Sequence, residues 1–307
     1  MTTDPNAPPR GPMPVTLLLD EALRQTRAHF RAIFPAVALP VALLTTIVAV
    51  VQAVTFQDLL GGGSIQSLSP LAMWNPLVIV TALLLAVLAA LAYLAGQVAA
   101  LDALAGRPVD MKRAWAFAAR PAVWGTGLLS GLIIIVSFVL CILPVFYVAP
   151  LLSFVVPVMV EEGRFGTSAL SRSAELARFN PSRRLGEHPI LKILLLMLVT
   201  TLISYMAGLI VALPFQIPMF IDLFRKAIAG QEDVAGAMGR WIWLQVPAQF
   251  LSALARMAIY IYTAFGIGLL FADIRGSKEG IDLRPEIDAL FPAPAPPPVP
   301  PSGEPWS

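Results

Sequence analysis

The sequence predicts an all-α integral membrane protein with about six transmembrane helices and amphipathic helices at the cytoplasmic interface. Hydrophobic residues make up 57% of the 307 residues and charged residues only 13%, whereas a soluble domain is roughly 25% charged. The apolar residues also gather into runs close to the roughly 20 residues that a helix needs to cross a bilayer. Six such runs lie at about 33–54, 77–101, 124–143, 145–160, 190–213 and 250–271.

The chain is predicted to form one membrane domain between two tails. Residues 1–14 are polar and rich in proline, and residues 286–307 are dominated by proline and small residues. Neither composition can bury a core, so we expect a disordered N-terminal tail at 1–14, a membrane domain at 15–285 and a Pro-rich disordered tail at 286–307. The first apolar run begins near Ile33, too late for a cleaved secretory signal.

The third and fourth apolar runs are separated by Pro144 alone. One bent helix over both runs would be too long for a bilayer, and proline removes a backbone donor from a helix. The sequence therefore favours a tight helical hairpin that turns near Cys141–Pro144. The alternative is a re-entrant pair that never crosses, which leaves the flanking loops on the same side.

The distribution of basic residues predicts that both ends of the chain are cytoplasmic. With the N-terminus inside, most of the 21 lysines and arginines lie on the inner side. The outer loops then hold only Arg225, Lys226 and Arg240. Short loops rich in lysine and arginine remain in the cytoplasm, so the opposite orientation would break this rule.

A short charged segment with helical periodicity precedes each outgoing span. These segments start near Thr16, Asp110 and Thr167, with Asp110 as the expected N-cap of the second and Thr167 or Ser168 as that of the third. We expect three interfacial helices, which would give the chain three repeated units of interfacial helix, outgoing span and returning span. A further amphipathic helix is predicted over Met219–Ala229 on the outer surface.

Two stretches carry more specific motifs. The segment after the fourth span contains Glu162-Gly163, Ala169-Leu170 and Arg172-Ser173. The segment after the last span contains Asp273, Arg275, Glu279, Gly280, Asp282 and Leu283. With these motifs the chain resembles a bacterial family of multi-pass proteins described as the membrane domain of glycerophosphoryl diester phosphodiesterases, whose members mostly have no established activity.

This resemblance implies a fold and a bacterial cytoplasmic (inner) membrane location. The catalytic part of such phosphodiesterases is a separate soluble barrel that uses histidine, glutamate and aspartate around a metal. The chain has only two histidines, His29 and His188, and neither has a metal-ligand spacing with acidic residues. We therefore expect that the catalytic domain is absent and that the family name does not carry an activity here.

Arg256 is the one charge well inside a predicted span and is a candidate anion-binding or structural residue. An ionisable residue within a membrane is by default a functional hypothesis. If the last span starts near Phe250, Arg256 lies about 9 Å deep by helix rise, and its side chain could snorkel to the outer surface. Gln245, Gln249, Tyr260 and Tyr262 could hydrogen-bond Arg256 or line a polar cleft with it.

A second candidate site is a group of charges predicted to meet at the cytoplasmic face. The group consists of Glu161, Glu162, Arg172, Asp273, Arg275 and Glu279. Ion pairs between the segment after span four and the end of span six would fix the third unit against the last helix. The alternative is a site for an anionic lipid headgroup.

The sequence favours a non-enzymatic membrane protein that acts as a scaffold or accessory subunit. The alternative is a transporter or channel for a small anionic or lipid-like solute, and an intramembrane enzyme ranks third. We find no catalytic constellation, cofactor motif or metal site, and Cys141 is the only cysteine. The expected partners are the lipid bilayer and proteins bound through the cytoplasmic face or the Pro-rich tail, with no nucleic acid.

Overall fold

The computed structural model describes residues 13–61, 75–140, 142–178, 188–228 and 234–279. Within these ranges the chain is helical and contains no strand. Its helices are α1 (Val15–Gly61), α2 (Pro76–Leu104), α3 (Met111–Ala118), α4 (Pro121–Leu140), α5 (Ile142–Leu152), α6 (Val155–Glu161), α7 (Thr167–Ala177), α8 (Pro189–Ile228) and α9 (Val234–Glu279). Apart from Met13 and Pro14, the tails predicted at 1–14 and 286–307 lie outside the described residues.

Six helical segments are long and apolar enough to cross a membrane. They are Val15–Gln57, Pro76–Leu104, Pro121–Leu140, Pro144–Glu161, Pro189–Lys226 and Trp241–Lys278. The predicted all-α fold with six spans is therefore confirmed, and the chain is a multi-pass membrane protein. Each of the six contains one of the predicted apolar runs, or most of it.

Two helices predicted as separate elements are parts of longer helices, because the helices continue through positions where composition changes. The first interfacial helix is not separate but forms the start of α1, which runs through Pro35 and Pro40. The predicted outer helix over Met219–Ala229 is likewise the continuation of α8. In an apolar environment every unpaired backbone group is costly, so a helix is favoured beyond the apolar run that marks it.

The third and fourth spans form the predicted hairpin, but the returning span is divided into two helices. α4 ends at Leu140 and α5 begins at Ile142, while Cys141 itself lies outside the described residues. Thr126 near the start of α4 accepts a hydrogen bond from the N–H of Gly166, which follows α6, at 2.7 Å. The chain therefore returns to the end from which α4 started. The returning span is broken between α5 and α6, close to Pro150.

Helix α9 is the centre of the bundle and packs against α1, α2 and α8. Glycines allow two of these contacts: a Cβ at Gly96 would lie 3.1 Å from Tyr260, and one at Gly266 would lie 3.0 Å from Leu196. Close approach through glycine is a common way for membrane helices to pack. At Gly125 of α4, by contrast, an added Cβ would meet nothing within 4 Å.

One end of the bundle collects most of the described charges, and we call it the charged end. Lys192 near the start of α8 lies beside Asp273 near the end of α9. Arg107, which follows α2, contacts Glu161 at the end of α6. Asp110 caps α3 as predicted, accepting hydrogen bonds from the N–H groups of Lys112 and Arg113. At α7 the prediction fails, because the N-cap is Gly166 without a side-chain cap.

Candidate functional site: an intramembrane cleft

A polar cavity of 870 Å³, which we call the cleft, lies between α2, α8 and α9. Helix α9 forms its floor, and α2 and α8 form its walls, because both pack on α9 while making little contact with each other. The polar residues that line the cleft are Tyr93, Gln97, Thr200, Thr201, Ser204, Tyr205, Gln216, Gln245, Gln249, Ser252, Arg256, Tyr260 and Thr263.

Helical periodicity explains how these residues reach one cavity. On α8, Thr200, Thr201, Ser204 and Tyr205 are three or four residues apart or adjacent, and Gly208 continues the same stripe. On α9, the stripe from Gln245 to Thr263 follows the same spacing. Residues at such intervals share one face of a helix. The two polar stripes both border the cleft, although the helices that carry them pack against each other.

Arg256 lies in the cleft and is exposed to it. Its Nε donates a hydrogen bond to the carbonyl of Ser252 at 3.3 Å. In the part of the chain that the structure describes, no carboxylate forms an ion pair with Arg256. Among the residues that line the cleft it is the only one with a full charge.

The helix that carries Arg256 begins earlier than the apolar run that marks it. The sequence predicts a start near Phe250 for the last span, whereas α9 begins at Val234. At 1.5 Å per residue, Arg256 lies about 33 Å from the first residue of α9, close to the middle of the helix. The helix boundary does not set the membrane depth of Arg256, so snorkelling stays a prediction, and the side chain lines the cleft.

Three of the four polar neighbours predicted for Arg256 do line the cleft. These are Gln245, Gln249 and Tyr260. Tyr262 points elsewhere, since its hydroxyl donates to the carbonyl of Leu19 on α1 at 3.3 Å. The sequence analysis missed the contribution of α2 and α8, although polar residues three and four apart within the fifth span are a readable signal.

Helix α2 supplies the polar groups beside Tyr260. The Tyr260 hydroxyl donates a hydrogen bond to the backbone carbonyl of Tyr93, and the two rings are 3.7 Å apart between centroids. Among the described residues, Gln97 Oε1 is buried without a hydrogen-bond partner. A buried acceptor without a partner is costly, and the Gln97 side chain is one of the polar groups on the α2 wall of the cleft.

The cleft is closed toward the charged end. Leu196, Ile193 and Leu270 are buried there in a hydrophobic cluster, and Leu196 packs directly on Gly266. Below this layer the side chains of Lys192 and Asp273 are only 4% and 9% exposed, and Lys192 Nζ is 3.0 Å from Asp273 Oδ2. The described core therefore separates the cleft from the charged end.

The Lys192–Asp273 pair also holds the start of α1. The backbone N–H of Met13 donates to Asp273 Oδ1 at 2.8 Å, and Lys192 Nζ donates to the Met13 carbonyl at 2.8 Å. Asp273 thus has two partners and Lys192 has two acceptors. Because both charged groups have their partners within the chain, the arrangement is a structural clamp that joins α1, α8 and α9.

The charges predicted to form one cytoplasmic group are divided among separate partners. Arg172 Nε lies 3.1 Å from Glu162 Oε2, whereas Asp273 pairs with Lys192. Helices α7 and α9 are nevertheless joined, because Lys278 Nζ donates to the Glu175 carbonyl at 2.6 Å. The side chain of Glu279 lies outside the described residues.

Glu161 belongs to a third set of partners with Arg107 and Asp102. The Arg107 guanidinium contacts Glu161, and its Nε is 2.8 Å from the buried carboxylate of Asp102. The hydrogen bond to Glu161 raises the pKa of Arg107 above its usual value, and the two acidic charges add to this. Glu161 and Arg275 also border a small cavity of 250 Å³ at the charged end.

The motif residues behind the family resemblance have clear structural roles. Gly163 has φ of 64°, a conformation that favours glycine, and it follows Glu162, the partner of Arg172. Ser173 is buried, and its hydroxyl hydrogen-bonds two backbone groups at the break in the fourth span. Its Oγ donates to the Leu151 carbonyl at 2.6 Å and accepts from the Phe154 N–H at 3.2 Å.

Comparisons with known proteins leave this resemblance a prediction. No family model matches the chain, and no curated protein or solved structure matches it. Within the described ranges, no three histidine, cysteine, aspartate or glutamate side chains are grouped as a metal ion would require. The interpretation of the site therefore depends on the cleft and its chemistry.

Proposed function

We propose that this protein binds a small anionic ligand in the cleft, as a membrane transporter or lipid-handling protein would. The observation that carries the proposal is Arg256, a cation in a large polar cavity between apolar helices, without a carboxylate partner among the described residues. Of the two functions expected from the sequence, this favours the transporter class over a scaffold or accessory subunit, which has no need of such a cavity.

The cost of placing an arginine in a membrane supports a ligand role. An arginine at the centre of a spanning helix costs roughly 2.5–3.5 kcal/mol on insertion scales. A structural arginine is expected to offset this cost with a fixed acidic partner, as Lys192 does with Asp273. Among the described residues Arg256 hydrogen-bonds only the Ser252 carbonyl, so an anionic ligand is the partner that would complete its hydrogen bonding.

The chemistry of the cleft defines what could bind there. A guanidinium presents a planar fork that matches a carboxylate or a phosphate. The surrounding amides and hydroxyls, such as Gln97, Gln249 and Ser252, can both donate and accept. The volume of 870 Å³ falls within the roughly 300–1,000 Å³ of typical ligand pockets. We therefore assign the ligand to the carboxylates and phosphate esters.

A cleft-filling variant tests the proposal. Gly208 lines the cleft, and an added Cβ there meets nothing within 4 Å. Gly208→Leu should fill the cleft without a clash and abolish ligand binding. Gly125→Leu is the matched control, because Gly125 is also helical and open but lies on α4, away from the cleft.

The measurement is the melting temperature of each purified variant with a panel of carboxylates and phosphate esters. A ligand at about 100 times its Kd stabilises by about 2.7 kcal/mol. We expect a rise for the wild type and for Gly125→Leu, and none for Gly208→Leu, Arg256→Leu or Arg256→Lys, since lysine lacks the fork. An equal rise in every variant, or no rise with any anion, would contradict the proposal.

We further propose that the protein lies in a bacterial cytoplasmic membrane with both termini in the cytoplasm. The support is the distribution of basic residues and the family resemblance. Cysteines at Ser64, Gln231 and Ser302, introduced singly into Cys141→Ala, report the topology through an impermeant maleimide in whole cells. We expect labelling at Ser64 and Gln231 only, and labelling at Ser302 in intact cells would refute this orientation.

A further inference from the structure

We propose that the ligand is a membrane lipid with a single negative charge, and that it enters the cleft sideways from the bilayer between α2 and α8. The inference rests on the proposed function and names its ligand class and route. It follows from three features of the described residues: where the cleft is open, where it is closed, and how its charge is arranged.

The cleft is open on the side where α2 and α8 separate. Tyr93 on α2 is 44% exposed and Tyr205 on α8 is 68% exposed, and both line the cleft. Arg256 is exposed through the same gap, while its neighbours Ser252 and Met257 on α9 are buried. In a membrane this side faces lipid, because the helices around it carry exposed leucines such as Leu84 and Leu202.

The approach from the charged end is blocked by packed side chains. The hydrophobic cluster that contains Leu196 and Leu270 closes the cleft toward the charged end. The clamp of Lys192 and Asp273 lies behind it with almost no exposed surface. A water-soluble anion arriving at the charged end would have to displace this core, whereas a lipid already in the bilayer needs no such rearrangement.

The charge of the side chains that line the cleft determines the charge of the headgroup that can bind. One cation and no acidic side chain line the cleft, so one negative charge is neutralised there and a second would remain unpaired at high cost. A phosphate diester and a carboxylate both carry one charge and match the guanidinium fork. Leu209 and Ile259 line the same cavity and provide contacts for the upper part of an acyl chain.

Photo-crosslinking at the opening tests both the route and the charge. Tyr205 is replaced by p-benzoylphenylalanine, a residue of similar shape, in vesicles of phosphatidylcholine with a minority of either phosphatidylglycerol or oleate. The matched control is the same replacement of Tyr147, which lies on α5, is 50% exposed and does not line the cleft. Mass spectrometry then gives the ratio of anionic to neutral lipid captured at each position.

We expect the anionic lipid to be enriched about tenfold at position 205 over its share of the bilayer, as a hydrogen bond to a charged group supports. The enrichment should vanish in Arg256→Leu and be absent at position 147. Equal enrichment at both positions, or enrichment that survives Arg256→Leu, would overturn the inference.

The same vesicles separate this inference from the proposed function. The melting temperature is measured with acetate or inorganic phosphate added to vesicles of phosphatidylcholine alone. Suppose that the lipids captured at position 205 have the same ratio as in the bilayer, and that a soluble anion stabilises the protein only when Arg256 is present. This result would overturn the lipid route and leave anion binding intact. Bulk ratios without any such stabilisation would overturn both.

Discussion

The charged end and the cleft use similar side chains in opposite ways. At the charged end, Lys192 is buried against Asp273 and the Met13 backbone, and the ammonium and both carboxylate oxygens have partners within the chain. In the cleft, Arg256 faces open space with one backbone acceptor. A charge near a membrane is therefore not informative by itself. Whether its partner is already present in the chain separates a structural ion pair from a place for a ligand.

Breaking the clamp should give the largest effect on stability. Lys192→Met leaves the Asp273 carboxylate buried without its cation, which typically costs about 3–5 kcal/mol. The double variant Lys192→Met/Asp273→Leu should recover part of this loss, because no unpaired charge remains. Chemical unfolding in mild detergent measures the free energy, with Lys112→Met at an exposed position as the control. A loss no larger than that of the control would show that the clamp does not form.

Removing the Ser173 hydroxyl should give the next largest effect. The Leu151 carbonyl and the Phe154 N–H would both lose their partner at the break in the fourth span, and a buried polar group left unpaired costs about 1–3 kcal/mol. Ser173→Ala is compared with Ser171→Ala, whose hydroxyl bonds the Ser168 carbonyl at an exposed site. Thermal unfolding of the two variants should differ clearly, and equal stability would mean that the break is satisfied in another way.

Double-mutant cycles test whether the residues at the charged end form separate ion pairs. The sequence predicts that Arg172 and Asp273 are coupled, whereas the structure gives them separate acidic and basic partners. We now expect Arg172→Ala and Asp273→Ala to be additive within about 0.5 kcal/mol. The Lys192 and Asp273 pair should show a coupling of roughly 0.5–3 kcal/mol in the same assay. Comparable coupling energies in both cycles would instead support the single group of charges predicted from the sequence.

Substitution of Arg256 should have the smallest effect on stability. Because the structure shows Arg256 in one hydrogen bond to the backbone, Arg256→Leu should change the unfolding free energy by less than about 0.5 kcal/mol, as at positions without special contacts. Urea or thermal unfolding without added anion provides the measurement. A loss like that of Lys192→Met would identify Arg256 as a second structural charge and remove the contrast between the two regions.

The sequence predicts the spans well because each is a local property. An apolar run of sufficient length identifies a crossing helix whatever its neighbours are, and all six spans were found in this way. The full extent of each helix is not predictable in this way, since α9 begins at Val234, well before the apolar run that starts near Phe250. Helix ends depend on whether backbone groups find partners, which apolar composition does not encode.

Only the part of the cleft that lies on α9 was predictable from the sequence. Arg256, Gln245 and Gln249 were recognised together because they lie on one helix within a few turns. Thr200 and Tyr93 come from helices distant in sequence, and only the packing of α2 and α8 on α9 brings them to the same cavity. The partners of Arg172 and Asp273 were not determined for the same reason, because charges at one membrane face can pair in several ways.

The hydrogen bonds of Met13 also constrain the order of assembly. They join residues 260 and 179 positions apart in the chain, so the start of α1 is fixed in place by α8 and α9, which are synthesised after it. Until α9 is inserted, the buried residues Ile33 and Val37 of α1 lack part of their cover. Contacts this distant in sequence form late and slowly. Newly made α1 therefore has an exposed face in the membrane until these contacts form.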